Sequence, residues 1–190
     1  MRLDEAIVKL STDPFNPEYN FVCAKEYDRL NQTASAVSFY LRTAEYGYVS
    51  HKYLAYRSIL RTSICFETQH DRINTVSNSI LQALALYPER PEAYFLMARF
   101  YEKQNNWQEC YTWASLGLTM AKKIEDKRDA LLEYETSICL EFEMAVSAWW
   151  IGRPEESKEL FNKIFNDSRT PKTYLESVNN NLVRIHNVAI

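Results

Sequence analysis

The sequence has 190 residues, a formal net charge of −3, 46% hydrophobic residues, and 13 Tyr against 3 Gly. A chain of this length and composition can bury a core, which excludes wholesale disorder. Its mild acidity gives no broad positive surface for nucleic acid, and the few glycines disfavour tightly turned β folds and nucleotide-binding glycine loops. These features favour an all-α protein that does not bind nucleic acid.

The first ten residues mix the acidic Asp4 and Glu5 with apolar residues. Because this segment has no long apolar stretch, we expect neither a secretory signal nor a membrane-spanning helix. The four cysteines are far apart in the chain and fall within apolar helical patterns, at Cys23, Cys65, Cys110 and Cys139. Such cysteines are typical of reduced core residues, so we predict a cytoplasmic protein that does not contact a membrane.

A first pair of helices is predicted over about residues 17–50, with a turn at residues 30–32. Small and bulky residues alternate along the two helices, at Cys23, Ala24, Tyr27, Ala36, Tyr40 and Thr43. A less typical pair follows over about residues 51–90. Pro88 closes that pair three residues before Pro91 opens the next one, so we expect the pairs to follow without an insertion.

A third pair, over about residues 91–122, repeats the spacing of the first. Pro91 and Glu92 open its first helix, because proline is well tolerated in a first helical turn. Asn105-Asn106 ends that helix. The matching small and bulky residues are Met97, Ala98, Tyr101, Cys110, Ala114 and Gly117.

A fourth pair is predicted over about residues 130–168. Its first helix is expected to run from about Ala130 to Trp150, and its second to pass through Leu160 to Phe165 after a turn at residues 152–154. An amphipathic segment over about residues 173–187 predicts a final helix that caps the array.

This recurrence of rings and alanine-sized residues resembles the tetratricopeptide repeat (TPR) family. The resemblance implies a right-handed α-solenoid of three to four helix pairs with a C-terminal capping helix, in one domain over residues 1–190. Each pair would complete its core by packing a ring into a small-residue notch of its neighbour. In this family the first helices line a concave groove, so the resemblance implies a non-catalytic module that binds an extended peptide or protein partner.

The family's groove is lined by the second, fifth, ninth, twelfth and thirteenth positions of each repeat. In the first copy these are Glu18, Phe21, Lys25, Asp28 and Arg29, in the middle copy Ser58, Arg61, Cys65, Thr68 and Gln69, and in the third copy Glu92, Phe95, Arg99, Glu102 and Lys103. A ring followed by a cation four residues later lies on one helix face, which suits a peptide with apolar and acidic side chains. The alternative is that these cations are solvated and paired with neighbouring carboxylates.

Trp149 and Trp150 form a second candidate site. Consecutive residues on a helix point about 100° apart, so the two rings cannot bury equally in one narrow seam. Tryptophan is enriched in binding hot spots and stacks on sugars, which favours a role in the groove. Packing against the capping helix is the alternative.

The segments 88–101 and 148–157 also resemble the repeat region attached to some family-two glycosyltransferases. Those enzymes carry an α/β domain with an Asp-x-Asp motif, which this chain lacks, so transferase activity is not implied. The resemblance implies an alternative function as a glycan-pathway accessory, or as the stand-alone repeat part of a glycosyltransferase system, that docks an enzyme or a sugar-bearing acceptor.

Motifs for catalysis are sparse. Glu67-Thr-Gln-His70 has the spacing used in di-iron bundles, but that chemistry needs a second such motif. His51 and His186 have no ligand-like spacing, and no serine lies in a Gly-x-Ser-x-Gly elbow. We expect no enzyme activity, no metal and no cofactor. Self-assembly through uncapped solenoid ends stays open.

Overall fold

The computed structural model describes residues 3–69, 72–125 and 127–188, with side chains described as far as residue 185. Its α-helices are α1 (Leu3–Thr12), α2 (Pro17–Arg29), α3 (Thr33–Gly47), α4 (Lys52–Glu67), α5 (Ile73–Leu86), α6 (Glu92–Glu102), α7 (Trp107–Ala121), α8 (Ser137–Trp150), α9 (Pro154–Asn166) and α10 (Lys172–Val188). Within these residues the extended structure is limited to an isolated bridge between Asp129 and Tyr134. The all-α prediction is therefore confirmed.

The chain divides into two compact units, unit 1 (Met1–Pro88) and unit 2 (Glu89–Ile190). In unit 1, consecutive helices from α1 to α5 pack on each other, and α2 also contacts α4. In unit 2, consecutive helices from α6 to α10 pack on each other, and α6 also contacts α8. Each unit is thus built from antiparallel helix pairs whose first helices are neighbours, as in a TPR-like solenoid. The single domain over residues 1–190 stays a prediction.

Three of the turns between paired helices share one backbone conformation. Asn31, Asn105 and Gly152 have φ angles of 56°, 57° and 80°, a left-handed region that asparagine and glycine tolerate. The next residue's N–H donates to a carbonyl five positions back, in the pairs Gln32 to Tyr27 (2.9 Å), Asn106 to Tyr101 (3.0 Å) and Arg153 to Ala148 (2.9 Å). These turns lie where the sequence predicts them, and they fix the repeat register.

Gly117 shows how closely the helices of unit 2 approach each other. A Cβ atom at this position of α7 would lie 2.7 Å from Cδ2 of Leu140 on α8 and 2.8 Å from Cβ of Tyr94 on α6. The neighbouring Cys110 and Ala114 are fully buried. A residue without a side chain therefore lets α7 pack against two helices at once, as the small-residue pattern predicts.

The predicted start of the fourth pair is wrong. Residues 130–132 form a 3₁₀ turn rather than the start of a long helix, and α8 begins only at Ser137. The backbone groups of Asp129 and Tyr134 bond to each other at 2.8 and 3.1 Å, and Glu133 has a left-handed φ of 55°. Leu132 and Tyr134 are buried by this loop. The two hydrogen bonds at the base of this loop use the backbone N–H and C=O groups of Asp129 and Tyr134, which a continuous helix would need for its own hydrogen bonds.

Helix α1 was not among the predicted helices, whereas α10 lies where a capping helix is predicted. The four cysteines are buried and free of disulfides. Within the described parts of the chain, the helices are too short or too polar to cross a bilayer.

Candidate functional site

In unit 1, Arg61 and Asp28 join two of the predicted groove helices. Nε of Arg61 on α4 lies 2.6 Å from Oδ2 of Asp28 on α2, and Nη2 lies 3.0 Å from Oδ1. Tyr40 on α3 donates its hydroxyl proton to the same carboxylate at 3.1 Å, and burial together with the charge of Asp28 raises the pKa of Tyr40. Arg61, a predicted binding residue, thus engages Asp28 in a two-pronged ion pair.

The other predicted binding residues of unit 1 are arranged around Phe21. The Phe21 ring is only 7% exposed and packs edge-on against Tyr40, with ring centroids 5.9 Å apart. Lys25 holds its ammonium group 5.8 Å from the centre of that ring. Arg29 is exposed and pairs with Glu26 at 3.1 Å, one turn away on the same helix. The exposed groups on this face are therefore the two cations rather than the ring.

In unit 2, Phe95 is covered by the loop that precedes α8. The ring is 2% exposed, lies 5.9 Å from the Tyr134 ring and has the Arg99 guanidinium 5.4 Å from its centroid. Nη1 of Arg99 in turn lies 2.6 Å from the carboxylate of Glu133. The expected ring and cation are together on one face, but Phe95 is buried and Arg99 is paired.

Two further groove positions of the third copy, Glu92 and Lys103, behave differently from each other. Glu92 is fully buried and pairs with Arg90. Lys103 lies at the C-cap of α6 and is exposed. The alternative that these cations pair with neighbouring carboxylates therefore describes Arg61, which pairs with Asp28, and Arg99, which pairs with Glu133 outside the groove positions. Lys25 and Lys103 have exposed side chains.

A cavity of unit 2 lies at the C-terminal ends of α6 and α8. We call it the tryptophan groove; its volume is about 660 Å³. It is lined by Glu102, Trp107, Phe142, Val146, Trp149, Trp150, Phe161, Ser177, Asn180, Asn181, Arg184 and Ile185. Most of these residues belong to the first helices α6 and α8 and to the capping helix α10, and Trp107 of α7 and Phe161 of α9 complete the lining.

Trp149 and Trp150 take different roles at this groove, as their spacing on a helix predicts. Trp149 packs against the core that includes Val178 and Ile185 of α10. Trp150 is 60% exposed and stacks on Trp107, with ring centroids 5.3 Å apart and an angle of 15° between the planes. Trp107 was predicted only as the start of a helix, because its place on the rim depends on a contact with Trp150, 43 positions later.

The polar residues of the groove come from α6 and α10. Glu102 is half-buried at the end of α6, and Arg184, Asn180, Asn181 and Ser177 lie along α10. Among the described residues, neither Glu102 nor Arg184 has an ion-pair partner within 4 Å. The groove therefore combines an aromatic and aliphatic floor with one acidic and one basic wall.

The repeat register shows why this groove stays open. Glu102 and Asp28 are equivalent, since each lies three residues before the left-handed turn residue of its pair. In unit 1, the fifth position of the following pair is occupied by Arg61. In unit 2 it is occupied by Phe142, which lies ten residues before the turn residue Gly152 of its pair. Where unit 1 has an arginine to neutralise its carboxylate, unit 2 has a ring that lines a cavity.

Glu143 lies beneath this region, with its side chain buried between α7 and α8. Burial first, and then the charge of Glu102, raise the pKa of Glu143 to about 8, although Arg99 and Lys103 act in the opposite direction. Its side chain receives a weak bond from the Cys110 thiol, with Sγ 3.9 Å from Oε2. Burial and this carboxyl group raise the pKa of Cys110 to about 12, so the thiol is not a nucleophile at neutral pH.

The candidate metal and acid-base residues of the sequence are not brought together. Within the described residues, no cluster of three His, Cys, Asp or Glu side chains could hold a metal ion. His70 and the side chain of His186 lie outside the described residues. His51 is partly exposed and contacts Ser50 through Nδ1 at 2.8 Å and Glu18 through Nε2 at 3.6 Å.

Stacked helix pairs with left-handed turn residues define a TPR-like fold, and solved structures agree. The chain is similar to BtubC (BKLC) from P. vanneervenii, with a TM-score of 0.71 and 12% identity over 98% of this chain and 80% of that one. It is similar to MamA, with a TM-score of 0.62 and 14% identity over 85% and 83%. TTC0263, a thermophilic TPR protein of Thermus thermophilus, matches with a TM-score of 0.61 and 14% identity over 96% and 88%.

At these identities the likeness shows the fold alone. No family model and no curated protein match the chain. The resemblance to the TPR family is thus confirmed at the level of fold. The resemblance to repeats attached to glycosyltransferases receives no support from these structures and stays a prediction.

Proposed function

We propose that this chain is a non-catalytic protein-interaction module that holds an extended peptide or protein segment in the tryptophan groove. The observation that carries the proposal is Trp150, which is 60% exposed at the mouth of the cavity and stacked on Trp107. An exposed indole ring is costly to leave in water, and tryptophan is among the residue types most enriched in binding hot spots.

The lining of the groove suits a peptide chain. Phe142, Val146 and Trp149 offer a floor for apolar side chains, and a volume of about 660 Å³ is in the range of ligand-binding clefts. Asn180 and Asn181 on α10 carry amides that can donate to and accept from a peptide backbone. This combination supports an extended segment with alternating apolar anchors and backbone hydrogen bonds.

The predicted binding residues outside the groove have a secondary place in this proposal. Lys25 and Arg29 in unit 1 and Lys103 in unit 2 are exposed cations, and such groups at the rim of an interface change the association rate more than the affinity. Phe21 and Phe95 support the helices that carry these cations. We do not assign them direct contacts, because both rings are buried.

Replacing Trp150 with alanine tests the proposal. Wild-type protein, the Trp150→Ala variant and the Phe165→Ala variant would each be immobilised and exposed to extract from the native source and to a displayed peptide library. Phe165 is the matched control, since it is 47% exposed on α9 and does not line the groove. We expect the Trp150 variant to lose about tenfold in affinity for ligands that the other two proteins retain.

Two outcomes would contradict the proposal. Retention of every ligand by a folded Trp150→Ala variant would show that the groove is not the binding surface. Ligands that depend on Trp150 but prove to be sugars on a glycan array would replace the peptide partner with the glycan-pathway alternative.

A further inference from the structure

The acidic wall of the tryptophan groove carries a charge that the described part of the chain does not neutralise. Glu102 lines the groove and, among the described residues, has no cation within ion-pair distance. Its equivalent in unit 1, Asp28, is held by Arg61 and Tyr40. Unit 2 places Phe142 at the position from which unit 1 supplies that arginine.

Two other features favour a cation at this end of the groove. Helices α6 and α8 end at Glu102 and Trp150, and the C-terminal end of a helix carries a partial negative charge. The faces of tryptophan rings attract ammonium and guanidinium groups, and the stacked pair of Trp107 and Trp150 lines the same cavity. A carboxylate, two helix C-termini and two indole rings thus favour a cation at this end of the groove, and they act against the N-terminus of α7 at Trp107 and against Arg184.

We infer that the occupant of the tryptophan groove is an extended peptide that brings a lysine or arginine side chain between Glu102 and the pair of Trp107 and Trp150. An apolar neighbour of that basic residue packs on Phe142 and Val146. This inference rests on the proposed function and specifies the chemistry of its partner. It differs from the peptide with apolar and acidic side chains that the sequence predicts. That prediction used Lys25 and Arg99, of which Arg99, the one in unit 2, is paired with Glu133.

The basic wall of the groove determines which side of the groove each part of the bound peptide occupies. Arg184 lies on α10, which faces α6 across the cavity, so it disfavours a second basic side chain there. Its guanidinium can donate to carbonyl oxygens of the peptide, together with the amides of Asn180 and Asn181. The basic side chain therefore lies on the α6 side and the peptide backbone on the α10 side.

Three synthetic peptides test the inference. They share the sequence Gly-Ser-X-Leu-X-Phe-X-Ser-Gly with blocked ends, and X is lysine, glutamine or glutamate throughout. Dissociation constants would be measured by calorimetry for the wild type, Glu102→Gln and Glu159→Gln. Glu159 is the matched control, because it is an exposed glutamate of α9 outside the groove and its replacement changes the net charge equally.

We expect the lysine peptide to bind wild type about tenfold more tightly than the glutamine peptide, and the glutamate peptide to bind most weakly. Glu102→Gln should reduce the lysine preference to about twofold, whereas Glu159→Gln should retain it. The lysine preference should also shrink as salt is raised.

Equal loss of the lysine preference in both variants, or a preference for glutamate, would overturn the inference by showing that only net charge or the basic wall matters. Equal binding of all three peptides would overturn it too, yet leave the proposed function intact if that binding still requires Trp150. Failure of all three to bind would count against the inference, while the Trp150→Ala capture experiment judges the proposed function separately.

Discussion

Units 1 and 2 are built from equivalent repeat positions but use them in opposite ways. In unit 1 the carboxylate at the twelfth position, Asp28, is locked between Arg61 and Tyr40. In unit 2 the equivalent Glu102 faces a cavity of about 660 Å³, because Phe142 stands where Arg61 stands in unit 1. The repeat position of a carboxylate therefore does not determine its role. That role is determined by the residue that faces it from the first helix of the following pair.

Asp28 of unit 1 and Glu143 of unit 2 are buried in different ways. Asp28 accepts hydrogen bonds from a guanidinium and a hydroxyl, and its side chain is 16% exposed. Glu143 is 7% exposed, and within the described part of the chain it has a thiol as its side-chain hydrogen-bond partner. Burial without an ion pair favours the neutral form of a carboxyl group. Unit 1 therefore holds Asp28 in an ion pair, whereas unit 2, which also holds Glu92 in a pair with Arg90, buries Glu143 as an acid that is neutral at neutral pH.

Glu143→Gln should have the largest effect on stability, and the effect should depend on pH. Below about pH 4.5 the carboxyl group is protonated in both folded and unfolded chains, so the variant and the wild type should be similar. Between pH 4.5 and about 8 the unfolded chain releases a proton that the folded chain keeps, so wild-type stability falls as pH rises. By pH 8.5 the variant should be the more stable protein by up to about 4 kcal/mol.

Urea unfolding at pH 5 and pH 8.5, followed by tryptophan fluorescence, checks this prediction. All four tryptophans, Trp107, Trp113, Trp149 and Trp150, belong to unit 2, so the signal reports on the unit that contains Glu143. A difference between variant and wild type that is the same at both pH values would contradict the prediction.

Arg61→Met should destabilise unit 1 by about 2 to 3 kcal/mol. The change removes both hydrogen bonds to a mostly buried carboxylate and leaves Asp28 with the Tyr40 hydroxyl. Circular dichroism during urea unfolding would measure the loss.

Arg29→Met is the matched control for Arg61→Met, because Arg29 makes a single-turn ion pair in solvent. Its replacement should cost less than about 0.5 kcal/mol. Similar small losses for both variants would mean that the ion pair of Asp28 and Arg61 does not hold α2 against α4.

Gly117→Ala should have a smaller effect, a destabilisation of about 1 to 2 kcal/mol. The new Cβ would meet Leu140 and Tyr94 at under 3 Å, and the resulting overpacking exceeds the gain of about 1 kcal/mol in helix propensity. The melting temperature should fall by several degrees.

Gly47→Ala in unit 1 sharpens this comparison. There the nearest atom to the new Cβ would be Cβ of Pro17 at 3.2 Å, so a shift of a few tenths of an ångström relieves the contact. We expect a change within about 0.5 kcal/mol. If Gly47→Ala is the more harmful substitution, the tight packing of α7 in unit 2 is not a special feature of that unit.

Local signals explain which parts of the fold could be predicted from the sequence. Prolines at helix starts, asparagine or glycine at the turns, and small residues at the close approaches act within a few residues of their position. The helix pairs and the turns at Asn31, Asn105 and Gly152 therefore agree with the prediction.

The parts that could not be predicted depend on contacts between distant residues. Phe95 is buried because Tyr134, 39 positions later, closes over it, and that loop also explains the late start of α8. Arg61 is paired with Asp28, 33 positions earlier. The groove position of Trp107 was missed because its partner, Trp150, lies on another helix. Repeat equivalence was the one signal that could have linked Phe142 with Arg61 and so drawn attention to Glu102.

The central claim is that a partner binds at the tryptophan groove of unit 2 and not at the position in unit 1 where Arg61 neutralises Asp28. The most direct test is an NMR titration of the ¹⁵N-labelled protein with the captured partner. We predict that the indole signals of Trp107 and Trp150 shift, whereas that of Trp113, which packs against Tyr94, does not. Unchanged Trp107 and Trp150 signals, together with shifts of backbone amides in α2 and α4, would contradict the claim.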